Sequence, residues 1–256
     1  MKLRILYFDI ETAPLLAHVW HVFGDYVGID QLVNDSFVLC WAAKWDGQKK
    51  IISDRLTPQE ALDQDDSRII ASLADLIRQA DVVVAHNGDS FDLPVLRKRL
   101  LLMGEEPLGP VQSIDTYQLS KRNFKMEMNK LDFLADRLGV GRKIKTEFSL
   151  WREAYQGDEK ALREMERYNK YDVVLLEEVF NRMRPHVNGL IRLHEAETEW
   201  DFLCTNCGTE GIENFMRRGT VRTKASTFQQ WMCKECHKYY RERTSIKRHK
   251  GRFVPL

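Results

Sequence analysis

Asp9 and Glu11 stand two residues apart at the end of the apolar run in LRILYFDIET. On a β-strand that spacing sends both side chains out of the same face. Two carboxylates held that close repel each other and resist desolvation unless a cation or a shared proton compensates. Taken alone, the pair fits either a metal site or a strand that has reached the surface. A third acid shifts the balance. Met165, Tyr168, Asp172, Leu175 and Val179 follow one another at steps of three, four, three and four, the pattern of one helix face. Asp172 thus falls on an apolar stripe, where an unpaired charge is costly, and Tyr168 lies one turn before it on the same side. A divalent ion shared with Asp9 would satisfy Asp172, and so would a buried salt bridge to Arg or Lys. A further acid comes from His86-Asn87-Gly88-Asp89-Ser90-Phe91-Asp92-Leu93-Pro94, which follows a short apolar run and opens a helix. Such junctions are where α/β proteins tend to bind ligands. Asp89 and Asp92 compete for the role, because an acid at a helix N-terminus is stabilising in any case.

The five cysteines divide unevenly. Cys204-x-x-Cys207 and Cys233-x-x-Cys236 are two knuckles separated by 25 residues, the spacing of a structural zinc site with four thiolates. An iron–sulfur cluster or an unmetallated redox pair is the competing use, and His237 is a bystander beside the last cysteine. Cys40, in FVLCWAAKW, is expected to be a buried thiol. The module around the knuckles holds few aliphatic residues, so zinc would supply much of its stability. Arg217, Arg218, Arg222, Lys224, Lys238, Arg241 and Arg243 are interleaved there with Phe228, Trp231, Tyr239 and Tyr240. That mixture suits phosphate contact and base stacking, or else the docking of a protein. Arg142, Lys143 and Lys145 form a second basic cluster after Gly139 and Gly141, suited to holding a substrate backbone or simply solvated.

These groups need elements to carry them. Leu3 to Ile10 predicts a central strand covered on both faces. Residues 37–45 and 49–53, separated by Asp46-Gly47, predict a hairpin. An amphipathic helix is expected over about 66–79, then a short buried strand at Asp81 to Ala85. A helix opens near Ser90 to Pro94 and stops at Gly104. A strand near Val111 to Asp115 follows, with helices near 129–138 and 158–183. Paired strands followed by alternating strands and helices predict an α/β mixed sheet with helices on both faces. Between Glu11 and Ser36 no period is visible, although Trp20, Phe23 and Tyr26 lie there. Those rings either fold back over the core or stack on unpaired bases near the acids.

The length of 256 residues accommodates one α/β core with a small appendage. A hydrophobic share of 43% and a charged share of 30% exclude a disordered or membrane-embedded chain. No apolar run reaches the roughly 18–20 residues of a bilayer span. The N-terminus lacks the layout of a signal peptide, so a cytoplasmic location is expected. The net charge of +1 conceals two regions. Residues 201–256 hold 12 Lys and Arg against 5 Asp and Glu, leaving 27 against 33 in residues 1–200. Polyanion affinity is therefore expected at the C-terminus and cation chemistry in the body.

FDIET, NGDSFD and the run Tyr168-Asn-Lys-Tyr-Asp172 resemble the three motifs of the DEDD exonuclease superfamily, in its tyrosine-bearing branch, which includes the proofreading domains of family B DNA polymerases. The resemblance covers roughly residues 3–183, and NKLDFLADRLGVG resembles the family's helix before the third motif. Several phage and bacterial relatives of this kind carry a terminal zinc ribbon. The resemblance implies an RNase H-like domain over 1–185; composition then predicts a linker over 186–200, the cysteine spacing a zinc ribbon over 201–243, and the basic end a tail over 244–256 that frays. It implies that Asp9, Glu11, Asp92 and Asp172 hold two Mg²⁺ or Mn²⁺ ions, that Tyr168 orients the attacking water, and that Asp92 takes precedence over Asp89. Thr12, Asn87, Arg142 and Lys145 are the expected substrate contacts, and Cys204, Cys207, Cys233 and Cys236 the zinc ligands. The implied activity is 3′→5′ exonucleolytic hydrolysis of DNA, with single-stranded ends preferred. RNA trimming or structure-selective endonucleolytic cleavage by the same site is the alternative. A non-catalytic nucleic-acid-binding or docking adaptor is the reading from another class, and the ribbon is a place for a replication or repair protein to dock.

Overall fold

A computed structural model describes residues 3–21, 26–187, 190, 202–224 and 226–248. Phe23, most of the expected linker and the last eight residues of the expected tail lie outside the described residues. The chain divides into two compact units, Arg4–Phe180 and the remainder.

The first unit is built on a five-stranded sheet in the order β5-β4-β1-β6-β7. Its strands are β1 (Ile5–Thr12), β4 (Val38–Trp45), β5 (Ile51–Arg55), β6 (Val82–Ala85) and β7 (Gln112–Asp115). β1 pairs antiparallel with β4 and parallel with β6, so the sheet is mixed. Two short strands, β2 (Leu16–Ala17) and β3 (Leu32–Asn34), pair separately. The helices are α1 (Pro58–Asp63), α2 (Ser67–Arg78), α3 (Asp92–Met103), α4 (Thr116–Asn123), α5 (Leu131–Arg137), α6 (Phe148–Tyr155) and α7 (Glu159–Met183). The expected α/β mixed sheet flanked by helices is the observed fold.

β1 runs two residues past the expected apolar stretch, so Asp9, Glu11 and Thr12 all belong to the strand. Leu6 and Phe8 pack in one cluster with Ile69, Leu73 and Ile77 of α2 and Leu96 of α3. The odd-numbered residues leave the opposite face, as a strand requires. There Tyr7 meets Phe180 of α7 edge-on, with ring centroids 5.9 Å apart. α7 therefore lies across the face from which Asp9 and Glu11 project. Its stripe is buried throughout: Met165, Tyr168, Asp172, Leu175 and Val179 are all at most 8% exposed.

Trp20 and Tyr26 are 88% and 96% exposed, so these two rings do not fold back over the core. α1, α4 and α6 are additional helices that the periodicity did not announce. α1 is six residues long, and it is held by a capping box in which Thr57 and Glu60 accept from each other's backbone amides.

The second unit is a three-stranded antiparallel sheet, β10-β9-β8, formed by β8 (Phe215–Arg222), β9 (Ser226–Cys233) and β10 (Tyr239–Arg248). The four paired cysteines and Phe215 are buried together with partly buried Phe202, Trp231 and Tyr240. Residues 244–248, expected to fray, continue β10: Ser245, Lys247 and Arg248 pair with Phe228, Thr227 and Ser226. The backbone ladder overrides the polar composition there. Among the described residues no helix is long and apolar enough to cross a membrane.

Candidate active site

Asp9 and Glu11 lie opposite Ala42 and Cys40 of β4. On the other side β6 ends at Ala85, so Asp9 projects at the C-terminal edge of the parallel pair. The chain then turns through Asn87, whose φ of 67° is left-handed. Gly88 follows, and a Cβ there would come within 2.4 Å of the Ala85 side chain. Only glycine lets the turn pass that close.

The turn is held from below by Asp115, a buried acid that the sequence reading treated only as a strand end. Its Oδ1 accepts from the amides of Asn87 (2.9 Å), Tyr117 (2.9 Å) and Gln118 (3.2 Å), capping α4 while fixing the loop. Asp92, the first residue of α3, is delivered back onto β1, where its Oδ1 accepts from Ile10 N at 3.1 Å. Asp89 goes elsewhere: it is exposed, and its carboxylate accepts from Ser113 Oγ at 2.5 Å. Of the two competing acids, Asp92 is the one beside Asp9.

From α7, Asp172 meets the strand acids. One carboxylate oxygen from each of Asp9, Glu11 and Asp172 lies within 4.8 Å of the others. Two neighbours orient the group. Asn169 Nδ2 donates to Asp9 Oδ2 at 2.6 Å, and Trp151 Nε1 donates to Glu11 Oε2 at 3.3 Å. Both were missed in the sequence, although Asn169 lies four residues after Met165 and three before Asp172 and so shares the same stripe.

Lys143 is the other addition. Gly141, at φ +143°, lets the loop after α5 pass over Tyr171 and Leu175, whose atoms a Cβ there would meet at 3.1 and 2.8 Å. Lys143 Nζ then reaches Asp172 Oδ2 at 2.5 Å and the Tyr168 hydroxyl at 3.2 Å. The buried salt bridge considered for Asp172 is thus present, but it does not balance the site. Four carboxylates face one ammonium, and Asp172 Oδ1 is buried with no hydrogen-bond partner. Arg142 pairs with Asp136 at the surface and Lys145 is exposed, so neither expected contact lies at the acids. Thr12 is half-buried at the end of β1.

The electrostatics follow from this crowding. Burial, then Asp92, Glu11 and Asp172, push the Asp9 carboxyl well above the usual range. Burial and Asp172 push Glu11 up to about 7. Burial raises Asp92 to about 7 against the opposing hydrogen bond from Ile10. Burial also raises Asp172, with Lys143 pulling the other way. The Tyr168 phenol is held well above its ordinary value by burial and Asp172, so it stays protonated. A set of hard oxygens that resists ionisation without a counter-charge, with one oxygen orphaned, fits Mg²⁺ or Mn²⁺. A cavity of about 450 Å³ is lined by His86, Asn87, Tyr117, Lys130, Leu131, Asp132 and Lys143, and Lys143 is the residue it shares with the acid cluster.

In the second unit Cys204 Sγ is 3.5 Å from Cys236 Sγ, and Cys207 Sγ is 3.7 Å from Cys233 Sγ. Four thiolates about 2.3 Å from a tetrahedral zinc would be roughly 3.8 Å apart, so the cluster fits that ion. The hydroxyls of Tyr240 and Thr209, each 3.1 Å from a sulfur, are placed to donate to the thiolates of Cys204 and Cys207.

A family model described as the RNase H superfamily matches residues 6–184. Among solved structures, the family B DNA polymerase from the hyperthermophilic archaeon Pyrobaculum calidifontis is similar in fold, with a TM-score of 0.53 and 20% sequence identity. The similarity covers 72% of this chain and 25% of the polymerase, so the chain corresponds to about a quarter of that protein. No curated protein matches the chain.

Proposed function

Because the chain belongs to the RNase H superfamily, we propose that it is a metal-dependent nuclease of the tyrosine-bearing DEDD type that shortens DNA from its 3′ end. The observation that carries this reading is the convergence of Asp9, Glu11 and Asp172 on one volume, with a buried, unpartnered oxygen on Asp172.

In this reading Asp9, Glu11, Asp92 and Asp172 hold two divalent ions. Such ions supply Lewis acidity, easing deprotonation of a water and stabilising charge on the departing 3′-oxygen. The chain's own residues do the rest. Tyr168 keeps its proton and donates a hydrogen bond that orients the water, since a phenol with a raised pKa is a poor base at neutral pH. Asn169 and Trp151 fix the rotamers of Asp9 and Glu11. Lys143, an ammonium at the rim of the carboxylates, is suited to the developing charge on the scissile phosphate. The cavity that Lys143 shares with Asn87 and Lys130 is of a size for a terminal nucleotide. It supports Asn87 as a substrate contact and favours Lys143 over Arg142 and Lys145. The ribbon's zinc is structural in this account.

The test uses 5′-labelled single-stranded DNA and RNA of one sequence, with Mg²⁺ or Mn²⁺. The expected product is a ladder shortening from the 3′ end, formed faster on DNA. Internal cuts without a ladder would convert the reading to an endonuclease, and faster loss of RNA would reverse the polymer. Cleavage of neither polymer with either metal would leave only the binding adaptor.

A further inference from the structure

Some arginines of each unit are neutralised and some are not. In the first, Arg55, Arg68, Arg99, Arg142 and Arg163 are among those that sit against a carboxylate. In the second, Arg217, Arg218, Arg222 and Arg241 are exposed, and none has a carboxylate partner among the described residues.

The strand register sorts the ribbon's aromatic and basic residues onto two faces. Cys233 and Trp231 of β9 leave one side, together with their cross-strand partners Phe215, Arg217 and Tyr240. Trp231 and Tyr240 pack against the cysteine cluster on this side. Trp231 Nε1 also donates to Glu242, the one acid within the three strands, at 2.9 Å. These rings are occupied.

The alternate positions make the other face: Phe228, Gln230 and buried Met232 of β9, Met216 of β8, and Tyr239 and Arg241 of β10; Arg218, next after Arg217 where β8 bulges, follows Met216 by strand alternation. It carries no acid. The Arg241 guanidinium lies 4.2 Å from the centre of the Phe228 ring. Tyr239 is 52% exposed and Met216 38%. An open tyrosine, an arginine-stacked phenylalanine and two unneutralised arginines in one place suit a polyanion that itself carries aromatic rings.

We propose that this face is a second nucleic-acid site, which takes a single strand. Arg218 and Arg241 contact successive phosphates, and unpaired bases stack on Tyr239 and on the Phe228–Arg241 pair. An unpaired strand fits better than a duplex, because a stacked duplex offers no free base face to Tyr239. It also fits better than a protein, because the two cations are matched by a regular row of phosphates without requiring a complementary surface. The assignment does not depend on the cleavage reaction proposed above.

The test measures fluorescence anisotropy of labelled oligodeoxythymidylate and oligouridylate, with the full zinc-loaded chain in buffer free of added divalent metal and chelator. Against wild type, the Arg218→Ala/Arg241→Ala double variant is expected to bind about tenfold more weakly. Its log–log salt slope should be shallower by about 1.4, roughly 0.7 for each phosphate contact on a single strand. Tyr239→Ala is expected to weaken binding at least fivefold with the slope unchanged. Zinc content equal to wild type shows that the ribbon remains folded in each variant. Loss with either polymer supports the site and identifies the preferred sugar. Unchanged affinity and slope in the double variant with both polymers would overturn it, and so would unchanged affinity in Tyr239→Ala. A chain that binds through this face but cuts neither polymer would refute the nuclease reading and leave this one standing.

Discussion

Asp9→Asn is expected to lower the rate of 3′-end shortening by roughly 10³-fold or more, while making the metal-free protein more stable. The two effects have one cause. Asp9 is half-buried and crowded by Asp92, Glu11 and Asp172, and its ionised form is tolerated only when a cation offsets them. Removing its charge removes an ion ligand, and losing one electrostatic contact at a reaction centre costs about 4 kcal/mol in the barrier. The same removal relieves like-charge repulsion in the absence of metal. The hydrogen bond from Asn169 survives, because the amide oxygen of asparagine still accepts. The pH dependence has a definite sign. A carboxyl whose pKa is raised by folding binds more protons in the native state than in the unfolded one above its ordinary value, so its contribution to stability falls as pH rises. The gap in Tm between Asp9→Asn and wild type should therefore widen from about pH 4 towards neutrality, each kcal/mol appearing as about 2–4 °C for a unit of this size. Thermal unfolding in EDTA at stepped pH checks this. A variant less stable than wild type throughout, or one that still cleaves normally, contradicts the account.

Cys233→Ser is expected to unfold the second unit and leave the first folded. Among the described residues, the cluster around the four sulfurs holds only Phe202, Phe215, Trp231 and Tyr240 besides, little apolar surface to offset the entropy of ordering three strands. Structural zinc in such modules supplies about 10–16 kcal/mol at neutral pH, most of it folding free energy. Limited proteolysis should show residues 202–248 digested in the variant, while a fragment close to Arg4–Phe180 resists. Metal analysis should find zinc in the wild type and none in Cys233→Ser. A variant whose β8–β10 segment stays protected would show that the sheet holds without the ion.

The legible parts of the fold and the site are those governed by a period. Asp172 stood out because a helix face returns every three or four residues, and an acid on that face breaks the apolar pattern. The same arithmetic includes Asn169, passed over because a neutral amide is less conspicuous than a charge. Asp9 and Glu11 followed from the two-residue period of a strand. What escaped was decided by irregular backbone. Arg142, Lys143 and Lys145 are equivalent as sequence, and only the passage of Gly141 over Tyr171 and Leu175 turns Lys143 inwards while Arg142 reaches Asp136. Asp115 ends a strand and begins a helix, and its grip on the Asn87 turn connects residues 28 apart, which no local pattern encodes. Between Asp89 and Asp92 the residues alone left the choice open and the resemblance chose Asp92; the same turn carries Asp92 to Ile10 of β1 and Asp89 to Ser113. In the second unit, composition announced a basic aromatic surface, but only the packing shows that Trp231 and Tyr240 are taken up by the cysteine cluster.

Crystals soaked in Mn²⁺ and measured by anomalous diffraction at the manganese and zinc edges address the central claim most directly. Manganese signal is expected within bonding distance of the carboxylates of Asp9, Glu11 and Asp172, lost in Asp9→Asn, together with a zinc signal among the four cysteines. Manganese that never appears at those acids, with Lys143 still seated against Asp172 at saturating metal, would contradict it.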